Sequence, residues 1–212
     1  TELEIDIDVD QSYDNVNSYL SGNWLHAFSI TEKINSKELI EDIAKSSPLI
    51  PIFKSNSTLG FAVIKSSYSE ANVNKIIKSS DVIRSSFTRS KIEDVKTICR
   101  VKFKKDYARD EYQEVTHYID AYDFYGNGDE GFENVWGSGY KKSYYGLDPN
   151  NPGDSVLEFE SDYIRDPQTA YRLRNFLLAY HCQQHNIIKC RLPLSYVDVE
   201  ISDIVRFDKL IN

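Results

Sequence analysis

His181, Cys182 and His185 are the residues whose types and spacing come closest to chemistry. Two histidines four positions apart on a helix share a face, which is the arrangement of helical zinc sites. The HExxH pattern of metalloproteases needs a glutamate directly after the first histidine, and Cys182 stands there instead. No third ligand is evident nearby in sequence. A pair of polar side chains near a helix end, where the helix dipole favours positive charge, is the simpler reading. No metal and no cofactor are expected. Asp123, Asn127, Asp129 and Glu130 lie among glycines, and oxygen ligands on such a loop suit calcium. The EF-hand spacing fails, so a solvated acidic turn is favoured. Glu4, Asp6 and Asp8 in LEIDIDVD would share one face of a strand. Paired carboxylates do acid–base work, but acids at every second position more often mark a solvent face or a protected edge. GNGDEG lacks the Lys and Ser/Thr of a phosphate loop, and neither G-x-S-x-G nor GxGxxG is present. The chain is read as non-enzymatic.

The elements that must position these residues have clear signals. Residues 3–9, LEIDIDV, alternate strictly and predict a strand. Trp24–Ile30 predicts another. Asn35 or Ser36 caps a helix over 35–47, with Glu38 completing an N-x-x-E box from Asn35 and Leu39, Ile40 and Ile43 forming its apolar face. Leu49–Phe53 and Gly60–Lys65 predict a hairpin around a polar turn at Lys54–Ser57. Asp81–Phe87 predicts a strand, and Ser90–Glu93 a second capping box starting a short turn. A long strand follows over Lys96–Lys104, and a further one over Val156–Ser161. Asp166 and Pro167 open a helix over 166–185. Its apolar stripe runs through Tyr171, Leu173, Phe176, Leu177, Leu178 and Tyr180, and Asn186 stops it. IIKCRLPL and VDVEISDIVRF, rich in β-branched residues, predict two closing strands. The fold class is α+β with strands dominant: sheets or partly closed barrels, each covered by a helix. Two linked units are expected, 1–90 and 91–212.

Between them, residues 106–153 read as a long loop holding most of the glycines and many of the tyrosines. Loops of this length in compact proteins are functional or packed by their own side chains. Tyr125, Phe132, Trp136, Tyr144 and Tyr145 are its candidate protein-contact residues, since Tyr and Trp dominate binding hot spots. Anchoring of the loop onto the core is the competing reading.

Composition bounds the rest. A chain of 212 residues can bury a real core. Three cysteines, Cys99, Cys182 and Cys190, make no disulfide framework and suggest synthesis in a reducing compartment. No apolar run is long enough to span a membrane. The net charge of −8 argues against direct binding of nucleic acid through its phosphates. With no methionine and Thr1 at its start, the sequence reads as a piece of a longer protein.

Two phrases carry a family resemblance. The stretch Tyr163–Asp208, YIRDPQTAYRLRNFLLAYHCQQHNIIKCRLPLSYVDVEISDIVRFD, resembles the end of a hub domain in tail-tip and baseplate-hub proteins of tailed bacteriophages, with a helix, an LPL strand, a turn and an acidic-aliphatic strand. The stretch Ile34–Tyr112 is similar to the part that precedes it in such hubs, where a helix and a hairpin lead to a strand beginning near EDVKT. The resemblance covers well over half of the chain and rests on structural motifs. It implies a structural virion protein that caps the tail tube, surrounds the DNA passage, forms a trimer and contacts other tail proteins. It implies residence in the phage tail after synthesis in the host cytoplasm. The alternatives are a carbohydrate- or receptor-binding module using the aromatic loop and, further off, a metal-dependent hydrolase around His181 and His185.

Overall fold

The computed structural model describes residues 20, 24–30, 33–53, 58–65, 67–121 and 155–209. The expected strand at residues 3–9 therefore lies outside the described residues. Among the described residues the fold is α+β with strands dominant and no closed barrel. The helices described over their whole length are α1 (Ser36–Lys45) and α2 (Pro167–His181). The chain divides into two compact units that are not successive in sequence. One draws on Leu49–Thr88 and Asn186–Asn212, the other on Gly22–Pro48 and Arg89–His185. A single cut near residue 90 would place α1 and the last strands in the opposite units.

The second unit holds the main core. Its centre is β5 (Ile98–Asp106), whose Cys99, Val101 and Phe103 alternate with charged residues and are buried. β8 (Val156–Glu160) runs parallel to β5 with Arg100 opposite Glu158 and Lys102 opposite Glu160. On the other edge β6 (Glu111–Val115) pairs antiparallel with Lys102–Asp106, and β7 (Ile119–Asp120) with Ile98–Cys99. β6 and β7 correct the reading of 106–153 as one uninterrupted loop. Thr116 bridges them: its hydroxyl accepts from the Val101 N–H at 2.9 Å and its own N–H donates to the Val101 carbonyl.

α2 covers one face of this sheet. Asp166 caps it by accepting from the Thr169 N–H at 2.7 Å, and Pro167 fills the first turn. Its buried face is Thr169, Ala170, Leu173, Leu177 and Leu178, packed against Cys99, Val101 and Phe103. Tyr171 and Tyr180, expected on the apolar stripe, are exposed, because Ala170, Leu173 and Leu177 already follow the helical repeat facing the sheet. Phe176 is only half-buried beside that core. The helix ends at His181, short of the expected 185. On the opposite face of the sheet, Arg100 and Lys102 pair with Glu158. Lys102 also reaches Glu160, and Lys104 reaches Glu114.

α1 is capped by Asn35, whose side chain accepts from the Lys37 N–H at 2.9 Å. The expected Trp24–Ile30 strand is reduced to one bridge, His26 to Ile164.

Among its described residues the first unit is built of two-stranded sheets. β1 (Leu49–Phe53) and β2 (Leu59–Val63) form the expected antiparallel hairpin, with Leu49 opposite Val63. β3 (Lys75–Ile77) pairs parallel with β10 (Val205–Phe207). β4 (Arg84–Arg89) pairs with β9 (Asn186–Arg191). The two expected closing strands are both shorter than their sequence patterns. Pro193 has no N–H for a ladder, so Leu194–Tyr196 forms a 3-10 turn in place of an LPL strand. Of VDVEISDIVRF, only Val205–Phe207 is strand.

Candidate functional site

The His181, Cys182, His185 group does not converge on a point. Cys182 caps α2 and is buried in the core, with its sulfur 3.6 Å from the Ala179 carbonyl. The Tyr180 ring lies 4.6 Å from that of His185 and meets His181 edge-on at 5.1 Å. The His181 carbonyl accepts from the Lys96 N–H, and the His185 N–H donates to the Ser90 hydroxyl. Burial holds the His181 imidazole below its ordinary pKa, with repulsion from His185 and Lys96 acting the same way. Among the described residues no three of His, Cys, Asp and Glu gather as a metal site. The other sequence candidates lie outside the described residues: Glu4, Asp6 and Asp8; Asp123, Asn127, Asp129 and Glu130; and the contact residues Tyr125, Phe132, Trp136, Tyr144 and Tyr145.

Two surface features emerge that residue types alone did not single out. The first is an open depression of about 280 Å³ in the second unit, lined by Phe28, Ile34 and Leu39 on its apolar side and by Lys33, Tyr107 and Asp162 on its polar side. Phe28 and Tyr163 meet edge to face at 5.1 Å in its wall. Asp162 is already engaged. Its carboxylate accepts from the Tyr112 hydroxyl and lies 3.6 Å from the Lys105 ammonium, while its carbonyl accepts from Tyr107. Burial raises the Tyr112 pKa, and the bond to Asp162 raises it further. A committed carboxylate and a phenol held protonated give no base poised for proton transfer.

The second feature is the β4–β9 ribbon. The Ile83 N–H donates to the Arg191 carbonyl at one end and the Ser90 N–H to the His185 carbonyl at the other, so the strands run antiparallel. β4 is exposed along its whole length, and β9 at every position except Cys190, which is half-buried. Phe87 is 58% exposed and Ile188 47%. The sequences RSSFTR and NIIKCR contain Arg84, Arg89, Lys189 and Arg191 and no acid. None of these four cations makes an ion pair with the described residues. In the same unit Leu194, Val197 and Ile201 are each at least 80% exposed. The described large apolar side chains buried in that unit are Ile52, Leu59 and Ile77. A two-stranded ribbon is marginal in water by itself, and large apolar side chains held in solvent on it suit an interaction site. The signal was present in the sequence as two six-residue segments free of acid within an acidic chain.

No family model matches this chain, and no curated protein matches it.

Proposed function

We propose that the chain is a structural, non-catalytic assembly subunit: a hub domain of a phage tail tip or baseplate that caps the tail tube and surrounds the DNA passage. In this reading it works as a homotrimer among other tail proteins, in the virion, after synthesis in the host cytoplasm. The observation that carries the assembly role is the β4–β9 ribbon, with Phe87 and Ile188 open to solvent and no third strand among the described residues. Such surface is costly on a free monomer and useful on a subunit whose neighbours cover it. The identification of the assembly as a phage tail rests on the resemblance of Ile34–Tyr112 and Tyr163–Asp208 to hub domains. The β-dominated α+β fold is compatible with it.

The reading is tested on particles. An antibody raised against the purified chain, detected with gold in the electron microscope, is expected to label one end of tails produced by the phage that encodes it. Purified virions that carry no label and no peptide of this chain would end the tail assignment.

A further inference from the structure

Backbone pairing fixes the walls of the depression in the second unit, whose lining residues all belong to the described part of that unit. His26 bridges to Ile164, and the Ala27 N–H donates to the Tyr163 carbonyl at 2.9 Å, which seats Phe28 beside Tyr163. From the other side the Lys104 N–H donates to the Ile164 carbonyl at 2.9 Å. Lys104 lies in the left-handed region at φ 62° although it is not a glycine. That conformation costs free energy, and folds keep such residues mainly at turns and ligand sites. The Phe28 and Tyr163 rings stand at 78° to each other with centroids 5.1 Å apart, which makes an aromatic corner. Ile34 and Leu39 continue the apolar wall. At about 280 Å³ the depression is at the small end of ligand pockets, which run from ~300 to 1,000 Å³.

The polar groups of this lining are few and of both signs. Asp162 is its one carboxylate and Lys33 its one ammonium, and Ser29 adds a hydroxyl that can donate or accept. Three partners hold Asp162 in place: Tyr107 on its carbonyl, Tyr112 on Oδ1 and Lys105 3.6 Å from Oδ2. A carboxylate has about four acceptor sites, so Asp162 keeps room to accept from a further hydroxyl. The Tyr107 oxygen, which donates to the Asp162 carbonyl, keeps its own acceptor capacity. An anionic ligand would meet Asp162 and a cationic one Lys33, while a wholly apolar one would bury both charges without giving them a partner. A pyranose satisfies the whole lining, because it is neutral, carries hydroxyls that both donate and accept, and presents an apolar face of C–H bonds. We propose that this depression binds a neutral saccharide ring, with the corner of Phe28 and Tyr163 against its C–H face and Asp162, Lys33 and Ser29 on its hydroxyls. The position of Asp162, fixed by its partners before any ligand arrives, lowers the ordering cost of binding. The site goes beyond the assembly reading, and neither depends on the other.

Saturation-transfer NMR on the full chain tests it, with glucose, galactose, mannose and N-acetylglucosamine as separate probes. At least one is expected to bind in the millimolar range, weakly because the depression is open. Phe28→Ala should weaken that binding about tenfold by removing one ring of the corner, and Lys33→Ala should weaken it severalfold by removing a hydroxyl partner. Circular dichroism checks the fold of each variant. If Phe28→Ala is not folded, Phe28→Leu, which keeps apolar bulk and removes the ring, replaces it with the same expectation. Glucuronate should bind no more tightly than the best neutral sugar, since Asp162 opposes its carboxylate. Retained binding of that sugar's methyl glycoside identifies the end ring of a glycan as the source, and lost binding a free reducing sugar; both fit the proposal. Saturation transfer to none of the four neutral sugars would overturn it. So would binding that the Phe28 and Lys33 variants leave untouched, and loss in Trp136→Ala with Tyr145→Ala alone would move the sugar to the aromatic loop. Binding of glucuronate and no neutral sugar would make this an anion site, and binding of N-acetylphenylalanine amide and no sugar a pocket for a peptide side chain; either result would end the saccharide assignment.

Discussion

Single side chains decide whether the second unit holds together. Leu177 is 7% exposed and belongs to the cluster with Val101, Phe103 and Leu173. Leu177→Ala removes buried methyl groups and leaves a cavity, at a cost of about 2–5 kcal/mol. A urea titration should show the midpoint falling with an unchanged slope; an unmoved midpoint would show that this helix face is not part of the core. His26 and His181 both have pKa values depressed by burial, His26 despite its contact with the Ser46 carbonyl at 3.3 Å. The unfolded chain therefore binds protons at these sites more readily than the folded one. Stability is full above the ordinary imidazole value of 6.5 and is lost as pH falls through it, until the folded imidazoles also protonate. The melting temperature should drop between pH 7.5 and pH 5.5, and His181→Gln should flatten that drop. A slope untouched by the substitution would place the titration elsewhere. Cys99, whose thiol burial pushes up to about 12, stays neutral throughout this range.

At the scale of elements, local chemistry was legible where one residue has one job. Asp166 and Pro167 announced the start of α2, and Asn35 that of α1, because capping depends on neighbours in sequence. The alternation of Cys99, Val101 and Phe103 announced β5. What the sequence concealed depends on partners far away in the chain. β6 and β7 lie in a stretch whose tyrosines and glycines read as a loop; pairing with β5 makes them strands. The reverse holds for Leu192–Leu194, whose aliphatics suggested a strand that Pro193 prevents. The bare ribbon was hidden because neither RSSFTR nor NIIKCR shows by itself what it lacks, namely a covering layer. The capping account can be measured. Asp166 accepts from both the N–H and the hydroxyl of Thr169, which is itself buried and accepts from the Leu25 N–H at 3.1 Å. Asp166→Ala should cost about 0.5–2 kcal/mol, and Asp166→Asn less, in thermal or urea unfolding. Equal losses for the two would mean that the carboxylate charge, rather than the acceptor, matters.

For the whole molecule, function is assigned to surface. The second unit brings its apolar residues under α2 and pairs the charges on its other sheet face. The first unit leaves Phe87, Leu194, Val197 and Ile201 in solvent. Tyr125, Phe132, Trp136, Tyr144 and Tyr145 lie outside the described residues, and their proposed role in subunit contact stands on composition. Trp136→Ala together with Tyr145→Ala should weaken association with the circular dichroism spectrum unchanged. Unaltered assembly with lost binding to host-surface glycans would instead support a receptor-binding module.

The most direct measurement is the mass of the unmodified chain in solution across a concentration series, by analytical ultracentrifugation. The assembly account predicts a reversible shift from one copy to a closed species of three, with Phe87 and Ile188 amides gaining hydrogen-exchange protection as the trimer forms. A single-copy mass at every concentration, with the ribbon amides already protected, would contradict it.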